Sequence, residues 1–213
     1  MMRGLHYDSK LINKTNEIVD FILVNLLFLV LCLPVFTIGA AKSALYATAF
    51  SYLEHQKMGV SIFWKAFREN FRSITPLYLL LFAVGAFFVL ELCLVLANHI
   101  PLYAPTFIIL TVVFTLYLSF LNQVFLFQSY FHCTKRQLLR NGFLTVLSHP
   151  LRAVMILGLD IIPIVLPAIY PPVLVVAAIA FFLGHYTVTA YWSARLMHKL
   201  FLRYSDAKAS SYA

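Results

Sequence analysis

Charge is scarce in this chain: only 11% of its 213 residues are charged, and just eight are acids. Hydrophobic residues make up 62% and the mean hydropathy is +0.87, so a water-soluble globule of this size could not hide its apolar surface. A bilayer must cover the excess. Cysteine is nearly missing as well. Cys32, Cys93 and Cys133 are isolated and two lie inside apolar runs, which excludes a disulfide framework or a CxxC metal site and leaves packing as their role.

Catalytic signatures are absent too. No GxSxG or HExxH occurs, and His6, His55, His99, His132, His149, His185 and His198 lack metal-ligand spacing. The string IGAAKS has Ala41 where a phosphate-binding loop requires its second glycine. Neither an enzyme nor a bound cofactor is expected. The net charge of +8 is spread over several connections between apolar runs, which argues for loops at a membrane face and against nucleic acid.

What the chain does have is long apolar runs: Ile18 to Ala41, Leu77 to Ala97, Ala104 to Phe127, Ala153 to Tyr170 and Val173 to Trp192. Each is near or above the ~18 to 20 residues of a spanning helix. The expectation is an all-α membrane protein, a bundle of about five transmembrane helices forming a single domain over 1–213. The tail ahead of the first run carries Asp8, Glu17 and Asp20 beside Arg3, Lys10 and Lys14, unlike the positive leader of a secretory signal, so an uncleaved first helix is expected.

Lys and Arg alternate between connections. Three precede the first run, then come Lys42, Lys57, Lys65, Arg68 and Arg72, none in NHIPLY, then Lys135, Arg136, Arg140 and Arg152, none at Pro171 and Pro172, and finally Arg195, Lys199, Arg203 and Lys208. With five passes the richer side is cytoplasmic, which puts the N-terminus outside and the C-terminus in the cytoplasm of a bacterial plasma membrane. The alternative is that the chain folds back after Pro34 and Gly39. The first run is then a re-entrant hairpin, and every basic residue falls on one side.

Between Ser61 and Thr75, Phe63, Phe67, Phe71 and Ile74 recur at helical spacing and share one face with Trp64, opposite Lys65, Arg68, Glu69 and Arg72, which predicts an amphipathic helix on the cytoplasmic interface. Pro76 is expected to bend the chain before the second span. Leu138, Leu139, Phe143 and Val146 suggest a similar short helix ahead of Pro150. Such helices either rest at the headgroups or dock a partner, and the aromatic face of 61–75 is the better docking candidate.

Glu91 and Asp160 are the acids well inside apolar runs, where an ionised carboxylate costs roughly 2.5 to 3.5 kcal/mol at the bilayer centre. Both are expected to face the bundle interior, near Asn122, Gln123, Gln128 and His185, as a proton or solute relay or as protonated groups bonded between helices. Pro163 and Pro167 are expected to kink the fourth span. No basic partner is apparent inside the runs.

The stretch NLLFLVLCLPVFTIGAAKSALYATAFSYLEHQKMGVSIFWKAFRENFRSITPL resembles the YesL-like membrane proteins of Gram-positive bacteria, a family of unknown function. The resemblance rests on Asn25, on Pro34, Thr37 and Gly39 at a turn, on Ala44, Leu45 and Tyr46, and on Phe63, Phe67, Asn70 and Phe71, within about 16–77. Ala40 departs from the proline that the family tends to have after the glycine. At the turn, Thr37 is expected to cap the helix that starts near Ala40 and Gly39 to supply a positive φ.

The resemblance implies an accessory role in carbohydrate uptake, with the cytoplasmic helices docking a carbohydrate ABC permease. A small stand-alone transporter using Asp160 or Glu91, and a purely structural membrane protein, are the other readings.

Overall fold

The structure, a computed structural model, describes the backbone of residues 2–55, 58–98, 103–131 and 133–210 and the side chains of 15–55, 58–97, 105–131, 133–162 and 165–204. Every regular element among them is helical: α1 (Met2–Cys32), α2 (Ile38–His55), α3 (Val60–Asn98), α4 (Tyr103–Tyr130), α5 (Lys135–Ser148), α6 (Pro150–Ile169), α7 (Leu174–Leu183) and α8 (His185–Ser210). Three stretches, Thr15–Cys32, Val60–Ala97 and Pro105–Tyr130, are long and apolar enough to cross a membrane. The number rises to five if each of two bent pairs makes one span. The NHIPLY turn lies largely outside the described residues.

The first apolar run is not one span. α1 ends at Cys32, a single 3-10 turn covers Val35–Thr37, and α2 runs back alongside α1. The reversal is fixed by contacts at the far end: the Phe21 and Tyr52 rings meet edge to face at 5.4 Å, and Asp20 comes up to Gly59. Residues 17–21 therefore share one end of the bundle with 52–59, and also with Tyr130 and His198, which both bond to Glu54. This is the hairpin form of the first run.

The chain can turn here because three groups converge. Pro34 precedes the 3-10 turn, the Thr37 amide donates to the Pro34 carbonyl at 3.0 Å, and the Thr37 hydroxyl lies against the carbonyls of Leu31 and Pro34. Thr37 thus satisfies the end of α1 rather than capping α2, contrary to the sequence expectation. In a bilayer every such carbonyl needs a partner within the protein.

α2 is the centre of the molecule. Its Gly39, Ala40, Ala41, Ser43, Ala44, Ala49 and Thr48 are buried, together with Leu45, Tyr46 and Phe50, and it packs against α1, α3, α4 and α8. Small residues let helix backbones approach closely where lipid gives no hydrophobic drive to association. Gly39 carries the tightest approach: a Cβ there would stand 2.6 Å from Tyr78 Cγ and 2.7 Å from Tyr78 Cβ. The glycine is needed for this close approach of α3 and not for a positive φ, which it does not adopt.

α3 differs from expectation in a related way. It is one helix of 39 residues running through Pro76, ~58 Å at 1.5 Å per residue against ~30 Å of hydrocarbon. The amphipathic segment 61–75 is its first half and not a separate interfacial helix. Phe63, Phe67, Asn70 and Ile74 face inward and are buried, leaving Trp64, Arg68 and Arg72 outside. Burial of Ile74, Leu77 and Tyr78 on both sides of Pro76 holds the helix together where the ring removes a hydrogen bond. The aromatic face proposed for docking is occupied by the protein's own core.

α5 does form a separate helix. Thr134 and Gln137 make a capping box at its start, and it meets α6 at 102°. Leu138 and Val146 turn inward as expected, while Phe143, with Leu144 and Leu147, is exposed. α6 is a single helix through Pro163 and Pro167, with the Pro163 side chain outside the described set. The fifth run is broken: α7 and α8 meet at Gly184 with a bend of 71°.

Gly39→Ala should overpack the α2–α3 contact by about 1 to 3 kcal/mol and lower the melting temperature in detergent. In a Tyr78→Ala background the same change should cost little further. Equal losses in both backgrounds would refute this packing account.

Candidate functional site

Lys42 sits on the second turn of α2, one helical turn past Gly39, and the burial of α2 takes its side chain into the bundle. There Lys42 Nζ donates to Asp160 Oδ2 of α6 at 2.6 Å. The two side chains are 22% and 15% exposed. Each charge alone would be costly at this depth; together they largely offset one another. Lys42 Nζ also lies 5.9 Å from the centre of the Tyr46 ring, within cation–π distance. Asp160 therefore faces the interior as expected, but its partner stands where the sequence reads as a basic connection.

The ion pair separates two cavities and lines both, with Ile38 and Tyr186. One, of about 540 Å³, is walled by α1, α2 and the α7–α8 junction, including Phe28, Cys32, Leu45, Phe181 and Phe182. The other, of about 640 Å³, opens between α3, α4 and α6 and is walled by aromatic rings, among them Tyr78, Phe82, Phe114, Tyr117 and Phe125. Both are the size of small-molecule sites, mostly apolar with a few polar groups that can orient a guest.

The polar groups around the pair are mostly committed. Tyr46, fully buried, donates its hydroxyl to Asn122 Oδ1 of α4 at 3.2 Å, and Tyr117 donates to the Leu81 carbonyl. Gln128 bonds not to this site but to Asn70 Oδ1 at 2.9 Å, clamping α3 to α4. The Gln123 amide and His185 Nε2 are buried with no hydrogen-bond partner among the described residues. No cluster of His, Cys, Asp and Glu able to hold a metal occurs among them either.

Asn25 explains the broken fifth run. Breaking a helix at Gly184 leaves carbonyls of α7 and amides of α8 without partners. Asn25, fully buried on α1, donates to the Phe181 and Phe182 carbonyls at 2.9 and 3.0 Å and accepts from the Tyr186 amide at 3.0 Å. One amide side chain thus bridges both sides of the break beside the first cavity.

The sequence-derived candidates accordingly separate. Asp160 lines both cavities, whereas Asn25 and Gly39 touch only wall residues, Phe181 and Phe182 in the one case and Tyr78 in the other, and Pro34 and Thr37 form the turn just ahead of Gly39. Phe63, Phe67, Asn70 and Phe71 belong to the packing of α3 at the other end. Glu91 is half-buried on α3 and makes no hydrogen bond or ion pair among the described residues, so the structure does not join it to Asp160. Reading the sequence placed Tyr46 only at a helix start and missed Lys42 and Tyr186 as site residues. The available signal was that Lys42 stands in a largely apolar, small-residue stretch, IGAAKSALYATAF, that continues the first apolar run.

Neutralising one partner should strand the other. Lys42→Met or Asp160→Leu alone should lower stability by up to about 3 kcal/mol, less than a fully buried pair because both groups are partly exposed, whereas the double substitution should recover most of the loss. Thermal melts of the four proteins in one detergent check this; losses that simply add would show that the groups do not pair.

Residues 21–92, about a third of the chain, match the model of a family described as a protein of unknown function, DUF624. No curated protein and no solved structure matches the chain. The matched region takes in Asn25, the turn, all of α2 with Lys42, and α3 as far as Leu92, while Asp160 lies beyond it.

Proposed function

We propose that this is a non-catalytic, multi-pass protein of the bacterial plasma membrane that binds a small solute, and passes it across, at the Lys42–Asp160 pair. The observation carrying this reading is a lysine and an aspartate paired inside the bundle with a cavity on either side. Ionisable residues at such depth are costly, and in membrane proteins they mark solute and proton paths. A proton on Asp160, or an anionic guest on Lys42, would open the pair and join the two cavities through it.

With the α1–α2 hairpin, the positive-inside rule favours both termini in the cytoplasm, since the basic connections then share one face. This departs from the five-pass reading, in which the N-terminus lies outside.

A second reading keeps the role implied by the resemblance to YesL-like proteins, an accessory to a carbohydrate ABC permease. It is favoured by α5, whose Lys135, Arg136 and Arg140 are exposed on a well-capped helix at the end that carries the basic connections. With the face of 61–75 buried, α5 is the better docking element.

One reconstitution separates the two. Purified protein in liposomes enclosing a pH-sensitive dye should show proton movement on addition of one or more members of a panel of simple sugars and sugar acids, and Asp160→Asn should abolish it. Flux undiminished by that change rejects the role of Asp160. A protein silent towards every solute, yet retained on a tagged carbohydrate permease in mild detergent, is the accessory component instead.

A further inference from the structure

Where α5 turns into α6, a second polar feature lies well away from the ion pair. A cavity of about 390 Å³ is lined by His149, Arg152, Lys199, Leu200, Arg203 and Tyr204, drawn from the α5–α6 elbow and the last turns of α8. Arg152, Lys199 and Arg203 form no ion pair among the described residues. Of the acids at this end of the bundle, Glu54 is engaged by Tyr130 at 2.8 Å and His198 at 3.3 Å, and Asp20 stands by Gly59; none of them lines the cavity.

The elbow adds to the positive character. His149 ends α5 and precedes α6 without giving a side-chain cap, and Pro150, at the first position, has no amide hydrogen. The amides of Leu151 and Arg152 are thus left at the positive end of a 20-residue helix, and His149 and Arg152 of this end line the cavity. Loops held at a membrane face by the positive-inside rule need only be basic; they need not converge from two helices on one concave site.

We propose that this cavity binds a phosphate group, with the guanidinium groups of Arg152 and Arg203 and the ammonium of Lys199 holding its oxygens. Guanidinium groups suit that geometry because they present paired donors to two oxygens at once. Leu200 and Tyr204 provide an apolar wall for whatever carries the phosphate. Two sources share this chemistry: the headgroup of an anionic phospholipid in the adjacent leaflet, and a soluble phosphate or phosphomonoester. The proposal does not depend on the role given to Lys42 and Asp160.

The test uses the full chain in a neutral detergent at fixed pH and ionic strength. Binding of acyl-labelled phosphatidylglycerol is followed by fluorescence anisotropy, with labelled phosphatidylcholine as reference and inorganic phosphate as competitor. Arg152→Gln/Arg203→Gln should weaken phosphatidylglycerol binding at least fivefold. Lys135→Gln/Arg136→Gln, which removes the same charge from the start of α5, should leave it within twofold. Arg203→Gln alone gives an intermediate loss and serves if the double variant does not fold.

Displacement by millimolar phosphate identifies a soluble ligand, and retention of the lipid under those conditions identifies the headgroup; either supports the site. Equal losses in both double variants, or no preference for phosphatidylglycerol together with no effect of phosphate, would overturn it.

Discussion

The structure depends on keeping α2 out of lipid. This helix carries Lys42, Ser43, Tyr46 and Thr48 among small apolar residues, and the bilayer offers none of those polar groups a partner. Enclosing it by α1, α3, α4 and α8 supplies a partner inside for three of them, while Ser43 Oγ is buried with none among the described residues. Lys42 finds Asp160, Tyr46 finds Asn122, and Thr48 returns its hydroxyl to the Ala44 carbonyl. The small residues that permit this enclosure, Gly39 above all, are as necessary as the polar pairs.

Much of the architecture is legible in the sequence because it follows from hydropathy alone. The helical class, the membrane setting, the spans of α3 and α4 and the elbow ahead of α6 all come from apolar runs bounded by basic residues or proline. What hydropathy cannot decide is whether an apolar helix faces lipid or protein. Phe63 and Phe67 look the same on a helix lying on a headgroup layer as on one packed against α2. Ile18 to Ala41 likewise reads as one crossing, since nothing in its hydropathy marks the reversal at Pro34.

The site is half legible for a related reason. Asp160 stands out as an acid in an apolar run, and its need for a partner follows from the cost of burying it. The partner lies 118 positions earlier, and its neighbours IGAAKSA resemble a loop start as much as a helix. Asn25 is in a similar position: its value comes from a break at Gly184 that is far away in sequence, and the break is tolerable only because Asn25 bonds across it. Long-range compensation of this kind appears only when the helices are placed together.

Because a lysine at position 42 fits a basic connection as well as an enclosed helix, its location decides between this account and a plain five-pass protein. In a background with the native cysteines replaced, the Lys42→Cys/Asp160→Cys double variant should be closed by a short thiol cross-linker in native membranes. The Lys42→Cys single variant should react with a membrane-impermeant maleimide far more slowly than an Arg140→Cys variant, whose position is exposed. Rapid labelling of that single variant from one face, with no cross-link in the double variant, would contradict the account.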